Sequence, residues 1–536
     1  MVVKANGDPL RAAVVAPHHL AAEAGAEVLA EGGNALEAMT AAAAAIAVTY
    51  PHMNGLGGDG FWLVREPGKA PWGIEACGTA AALATPQWYR EQGVDTIPHR
   101  GGLAANTVAG TVSGWALAES ASREHWGGRL PLSRLLAPAA TLARDGFAMT
   151  ASQSETLADK REELAPQPGF HEVFLPGGAP LPAGDRLRQP ALADLLDRIA
   201  AAGPADFYQG DIATTIAMEL EAAGSPLRRS DLSGYSARYV DPLSLQLDDG
   251  VLANMPPPTQ GLASMLILGV YDRLRRSHPH AVDSDAYVHA LVEATKAAFR
   301  VRDRVVTDPG RVPQSPSQWL NGPALDQLAA GFDPDHAAPW PPSRGGGDTV
   351  WLGAIDAQGR SVSFIQSLFH EFGSGVTMPS LGLVWQNRGC SFSLDAADLN
   401  ALEPGRRPFH TLNPAMAALA DGRTVVYGTM GGEGQPQTQA AIFTRAVRHG
   451  MAPEAAVAAP RWLLGKTWGH GTDSLKVEED LGASVISGLR DRGHPVDVVS
   501  GCNSMMGHAG MLIRSPQGDI MAASDPRCDG GVAGIR

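Results

Sequence analysis

The segment Gly345-Gly346-Gly347-Asp348-Thr349-Val350-Trp351-Leu352 places a threonine where a Gly/Pro-rich stretch gives way to an apolar run. An internal threonine hydroxyl is a poor nucleophile, because no base stands beside it. An N-terminal threonine is different. Its α-amine, with a reference pKa of about 7.7–8.0, titrates where a general base must, and it sits on the same residue as the hydroxyl. A cut between Asp348 and Thr349 would create nucleophile and base together. The plainer alternative, a loop ending where a strand begins, accounts for an isolated Asp-Thr pair without any chemistry.

Two further constellations could complete acyl-transfer chemistry. Gly428-Thr429-Met430-Gly431-Gly432-Glu433-Gly434 follows a strand pattern and precedes a helical one starting near Gln437. Backbone N–H groups in such a turn can converge on an anion, since glycine removes the side chains that would hold it off. A flexible strand–helix loop is the alternative. Arg388, in Gln386-Asn387-Arg388-Gly389-Cys390-Ser391, follows the apolar Leu383-Val384-Trp385. Its planar fork suits bidentate capture of a carboxylate, against the simpler reading of a surface ion pair.

Other chemistries find less support. Gly55-Leu56-Gly57-Gly58-Asp59-Gly60 satisfies G-x-G-x-x-G, but a helix pattern precedes it and a strand pattern follows, the reverse of a dinucleotide fingerprint. No G-x-S-x-G or H-E-x-x-H occurs, and His370-Glu371 lacks metal-ligand spacing. Cys77, Cys390, Cys502 and Cys528 lie far apart with no C-x-x-C pair, which argues against a zinc site or disulfide framework.

The elements that must position these residues are legible in outline. Leu20, Ala21, Ala24, Val28 and Leu29 recur at helical spacing up to Gly32-Gly33, and Asn34 suits the N-cap of a second helix reaching about Val48. Helical patterns cover 131–145, 190–202, 210–223, 261–276 and 284–306. Phe332 to Gly347 is rich in Pro and Gly without periodicity, and a loop of that length in a compact protein is usually functional or disordered. Thr349–Asp356 and Ser361–Leu368 flank the turn Ala357-Gln358-Gly359-Arg360 as a hairpin. Further strands are expected at Phe61–Val64, Gly382–Gln386, Thr424–Gly428, Ala509–Arg514 and Asp519–Ala523. A helix-rich first two-thirds thus precedes a strand-rich final third, with no linker that would let them fold apart.

The 536 residues are 44% hydrophobic and only 18% charged, enough for a sizeable core and unlike a disordered or coiled-coil chain. A net charge of −14 disfavours a nucleic-acid surface, and the basic cluster Arg273 to Arg276 reads as a solvated helix end. The N-terminus lacks the apolar core of a secretory signal, and the run Ala41–Val48 is too short to span a bilayer. A cytoplasmic location is expected.

Taken in order, these segments resemble the γ-glutamyltransferase family of N-terminal-nucleophile hydrolases. The resemblance spans nearly the whole chain and includes Gly32-Gly33-Asn34-Ala35, Asn54-Gly55-Leu56-Gly57-Gly58, Asn106-Thr107-Val108-Ala109-Gly110-Thr111, Pro256-Pro257-Pro258-Thr259-Gln260-Gly261 and Ser524-Asp525-Pro526-Arg527. It implies an α/β fold, a four-layer αββα sandwich, made as a precursor that cuts itself at Asp348–Thr349. Fragments 1–348 and 349–536 would then form a heterodimer in one structural unit, with a dimer of such units left open. Thr349 falls on the nucleophile, Ser367 on a supporting hydroxyl residue, and Gly431 and Gly432 on the oxyanion glycines. No metal or organic cofactor is required.

The family's γ-glutamyl reader is not retained. Its carboxylate-binding arginine aligns with Cys77, and its paired serines correspond to His410 and Thr411. The residues that hold the substrate's α-amino group correspond to Phe369, Arg388 and Ser391, so an aspartate is lost and a cation gained. Asn387-Arg388-Gly389 and Phe409-His410-Thr411 are more similar to a branch of the family that includes oxamate amidohydrolase. The reading that follows is an autoprocessed amidohydrolase acting on a small carboxylate-bearing amide. The rivals are a γ-glutamyltransferase or glutathione hydrolase in which another carboxylate, such as Glu433, reads the ammonium, a non-catalytic binding protein on the same fold, and, weakest, an NAD-dependent enzyme.

Overall fold

The computed structural model describes residues 2–4, 9–340, 347–466 and 472–536, with Lys4 and Asp348 described by backbone alone. Side-chain alternation sets the layers. In the strand Asp348–Ile355, Val350, Leu352 and Ala354 pack into a core against helices, whereas Trp351 and Ile355 join a second core. That second core also holds Phe61 and Leu63 from Asp59–Arg65, and Met416, Val426 and Leu512 from a different sheet. It is the dry layer between two stacked sheets.

The first sheet has eight strands in the order Val3–Lys4, Gly531–Ile535, Ala12–Ala16, Asp348–Ile355, Ser361–Phe369, Asp59–Arg65, Trp72–Ala76, Arg238–Val240. The second has six: Ile520–Ser524, Ala509–Arg514, Thr424–Thr429, Ala415–Leu419, Gly250–Asn254, Leu243–Leu247. Helices His19–Ala30, Ala35–Thr49 and Leu132–Asp145 cover the outer face of the first. Helices Gly261–Ser277, Asp285–Val305 and Gln435–Phe443 cover the second. The result is the four-layer αββα sandwich.

Local sequence explains the main elements. Asn34 caps the helix Ala35–Thr49 in a full capping box: its Oδ1 accepts from the N–H groups of Leu36 and Glu37, and Glu37 Oε2 accepts from Asn34 N–H. That helix is buried along its whole length, which accounts for its alanine run. The turn at Gly57 and Gly58 is packing, not phosphate binding. A Cβ at Gly57 would stand 2.0 Å from Val384 O and one at Gly58 2.2 Å from Ser367 O.

Both sheets interleave strands from before and after Thr349. The expected contrast between a helical first part and a stranded last part therefore holds only in part. Ala12–Ala16 and Gly250–Asn254 are strands with no alternation to announce them, and the short alternating strands Trp72–Ala76 and Leu243–Leu247 also fall outside the expected set. The expected strand Gly382–Gln386 shrinks to Leu383–Val384. Of the Pro/Gly-rich stretch Phe332–Gly347, residues 341–346 lie outside the described residues. Its first part is tethered: Asp333 O accepts from His289 at 2.8 Å, Ala338 O from Lys296 at 2.6 Å and Pro339 O from Arg300 at 2.8 Å.

Candidate active site

Register brings three polar side chains to one end of the inter-sheet layer. Thr349 shares the parity of Trp351 and Ile355, so its side chain faces that layer, and it is fully buried. Pairing between Asp348–Ile355 and Ser361–Phe369 shifts here: Asp348 stands opposite Phe369 but Val350 opposite Gln366, so Thr349 faces two residues, Ser367 and Leu368. Such a bulge re-aims side chains at a strand end. On its other side Ser367 pairs with Asp59. Thr349, Ser367 and Asp59 thus lie in a row across three neighbouring strands.

Around this row the contacts converge. Thr349 Oγ1 lies 3.5 Å from Ser367 Oγ and 3.4 Å from Gln435 Nε2, both long contacts. Ser367 Oγ accepts from Phe369 N–H at 2.7 Å and stands 3.5 Å from Arg388 Nη2. Arg388 is 1% exposed, donates to Thr411 Oγ1 at 3.1 Å and lies 3.9 Å over the Phe369 ring. Phe369 adopts φ +83°, a strained conformation for an aromatic residue, of the kind that persists where the surroundings over-determine it.

The glycine turn approaches Thr349 from the second sheet. Gly431 and Gly432 have φ of +115° and +51°, and the helix Gln435–Phe443 follows. Among the described residues their N–H groups donate no hydrogen bond. Gln260 fixes the turn from behind, donating to Gly432 O and Thr411 O at 2.8 Å each. Arg302 holds both Gln260 Oε1 and Glu433 Oε2 at 3.1 Å. Asn413 donates to Gln435 Oε1 at 3.1 Å, orienting the amide that reaches Thr349.

Residues 21–535 match the family profile described as Gamma-glutamyltranspeptidase. The chain belongs to that family. It is 52% identical over 521 residues to the oxamate amidohydrolase proenzyme of Klebsiella pneumoniae subsp. pneumoniae, covering 97% of this chain and 98% of the relative. The glutathione hydrolase proenzyme of Escherichia coli is 30% identical, over 95% of this chain and 89% of its own. Among solved structures, the cephalosporin acylase from Bacillus halodurans superposes with a TM-score of 0.90 at 30% identity, covering 100% of this chain and 97% of that one. This member of the gamma-glutamyltranspeptidase family is an enzyme, an amidohydrolase of the N-terminal-nucleophile kind, so the non-catalytic and NAD-dependent readings fall away.

Electrostatics distinguish this family member's pocket. Burial lowers Arg388 to about 10, partly offset by the nearby Asp59 carboxylate, yet no carboxylate among the described residues forms an ion pair with it. Asp59 is itself buried: its Oδ1 accepts from Gly78 N–H, Gly110 N–H and Gln386 Nε2 at 3.1 Å each. Burial raises its carboxyl to about 7, against the opposing pull of Arg388 and those donors. His410 Nε2 lies 3.3 Å from Asp59 Oδ2, but neither atom finds hydrogen-bond geometry. Burial holds His410 neutral, well below its ordinary value, with Arg388 and Arg407 acting the same way, so this is a close contact and not a salt bridge.

Thr349, Ser367, Phe369, Arg388, His410, Thr411, Gly431 and Gly432 therefore gather at one place. Ser391 is nearby, but its hydroxyl is engaged by Arg388 O at 2.9 Å and Phe409 O at 3.2 Å. Glu433, offered as a reader of a substrate ammonium, is instead tied to Arg302. Asp59, Gln260, Arg302, Asn413 and Gln435 escaped the sequence reading. Asp59 is hidden inside a glycine turn, and no spacing rule singles out the others. Cys77 lies in the core between the sheets.

Proposed function

We propose that the chain cuts itself between Asp348 and Thr349, and that the freed Thr349 hydrolyses a small amide bearing a carboxylate, such as oxamate. The observation that carries this reading is Arg388. A buried guanidinium without an ion-pair partner is costly, and among the described residues Arg388 is met by two hydroxyls and an aromatic face, a setting that an anionic substrate completes. Ser367 Oγ lies 3.5 Å from both Arg388 Nη2 and Thr349 Oγ1 and so links the two. The name of the 52%-identical relative, an oxamate amidohydrolase proenzyme, agrees with both halves of the proposal.

In the precursor, Thr349 nitrogen is a peptide amide and cannot act as a base. Attack of Thr349 Oγ1 on the Asp348 carbonyl moves the acyl group from nitrogen to oxygen, and water then cleaves the ester, leaving a free amine. In turnover the hydroxyl attacks the substrate amide while the amine takes its proton. The Gly431 and Gly432 N–H groups receive the oxyanion. Ammonia leaves with the transferred proton, and water hydrolyses the acyl ester. With oxamate the products are oxalate and ammonia.

The missing ammonium reader speaks against a γ-glutamyl substrate. Glu433 is occupied and Ser391 is neutral, while Arg388 would repel an α-ammonium group. Parallel kinetics on oxamate and a γ-glutamyl anilide test the choice. Efficient turnover of the anilide without turnover of oxamate would sink the proposal. Residence in the cytoplasm and assembly as a fragment heterodimer are part of the same proposal. No helix among the described residues is long and apolar enough to cross a membrane.

A further inference from the structure

Sequence spacing argues against a metal site, yet the fold gathers three ligand types that lie far apart in the chain. His99, His370 and Cys390 each present a ligand atom within 4.8 Å of the other two. Zn–N and Zn–S bonds of about 2.0–2.3 Å place tetrahedral ligand atoms roughly 3.3–3.8 Å apart, within reach of small side-chain adjustments here. His99 is exposed and the other two are half-buried, so an ion can enter from solvent.

The three segments are already held in register. Asn387 Nδ2 donates to His99 O at 2.8 Å, and Asn387 Oδ1 accepts from His370 N–H at 3.1 Å. Gly101 N–H donates to Ser374 O at 2.8 Å, and Arg100 Nη1 to Glu371 O at 2.6 Å. The His99 and His370 rings stand 4.8 Å apart. The Asn387 amide lies 2.9 Å from His370 Nδ1, the one polar contact that a metal on that nitrogen would replace. Among the described residues, neither the His99 ring nor the Cys390 thiol hydrogen-bonds another residue. By contrast, the other His/carboxylate group, His289, Glu293 and His494, is closed by its own contacts: His289 to His494 at 2.8 Å and Glu293 to Lys296 at 2.7 Å.

We propose that His99, His370 and Cys390 form a regulatory site for a thiophilic divalent metal such as Zn²⁺ at the rim of the active site. Binding loses one proton from the Cys390 thiol to solvent as the metal–sulfur bond forms, and the histidines donate lone pairs with no change in oxidation state. Burial pushes the Cys390 thiol up to about 12, against the weaker pull of the Arg388 and Arg100 guanidiniums, so the thiol stays protonated until a metal takes it, and those two cations oppose the metal's charge. The site therefore takes a metal that brings a thiolate with it, and not Mg²⁺. His370 stacks 4.4 Å from Phe369, the ring under Arg388, and Cys390 is two residues beyond Arg388. A metal here grips both flanks of that arginine.

Binding is tested first, independently of catalysis, by titrating the chelator-treated wild-type protein with Co²⁺ and Zn²⁺. One Co²⁺ per chain should bind with a thiolate-to-metal charge-transfer band, be displaced by Zn²⁺ and be indifferent to Mg²⁺. Cys390→Ala should lose the band and His99→Ala should lose binding, both keeping metal-free activity. Absence of the band, or wild-type affinity in Cys390→Ala, overturns the site. The consequence for activity rests on Arg388 as substrate reader: Zn²⁺ should raise KM reversibly in wild type and not in His99→Ala. Stoichiometric binding with unchanged KM would overturn the regulatory role while leaving the Thr349 chemistry standing.

Discussion

Gly347 packs against the ring of Phe369 so closely that a Cβ on Gly347 would stand 2.6 Å from it, with Thr411 Oγ1 at 3.6 Å. The same ring lies 3.9 Å from Arg388, and Thr411 accepts its hydrogen bond. The residue two before Thr349 therefore covers the surface on which the proposed substrate carboxylate would rest. Cleavage and withdrawal of this segment would do more than free an amine: they would uncover the pocket.

Intact-mass analysis of wild-type protein should accordingly find fragments 1–348 and 349–536. Thr349→Ala should remain one chain and be inactive, since the hydroxyl that begins both reactions is gone. Full activity in an uncut wild-type chain would rule out the mechanism.

Arg388→Ala should raise KM for a carboxylate-bearing amide by about 10- to 150-fold, the equivalent of roughly 1.5–3 kcal/mol for a charge-assisted hydrogen bond. Arg388→Lys should recover only part of it, because a point charge cannot supply the planar fork. Steady-state kinetics decide, and an unchanged KM in Arg388→Ala would move carboxylate recognition elsewhere.

Gly432 adopts φ +51°, and its carbonyl is held by Gln260. Gly432→Val strains that conformation and displaces the neighbouring N–H donors. A fall in kcat by about 100-fold or more is expected. A folded variant with wild-type kcat would show that the oxyanion is held by other groups.

Asp59 gives a pH signature. Burial raises its carboxyl from 3.8 to about 7, so between those values the folded chain keeps a proton that the unfolded chain has lost. Stability therefore falls as pH rises through this window and levels off above it. Asp59→Asn keeps an acceptor for the three donors on Oδ1 and cannot ionise. Its Tm relative to wild type should climb from about pH 4 to 7 and then stay constant. A difference that is flat across the window would mean that Asp59 is ionised throughout.

Some of this was written in the sequence, because local rules sufficed. The Asn34 cap, the hairpin after Thr349 and the helices at 190–202 and 284–306 follow from periodicity and turn chemistry over a few residues. The order of short motifs along the chain carried the family, and the types of Thr349, Arg388, Gly431 and Gly432 suggested the chemistry proposed for it. The remaining determinants come from distant segments. Asp59 faces the site because its strand pairs with Ser361–Phe369, some 300 residues away, and sheet register has no local signature. Strands such as Ala12–Ala16 are buried on both faces and lose the alternation that would announce them. That Arg388 is buried with no ion pair among the described residues, that Glu433 is claimed by Arg302, and that His99 meets His370 and Cys390 are facts of side-chain packing between layers. A sequence fixes which groups are available. Only the packing of two sheets and their helices decides which of them are left facing one another.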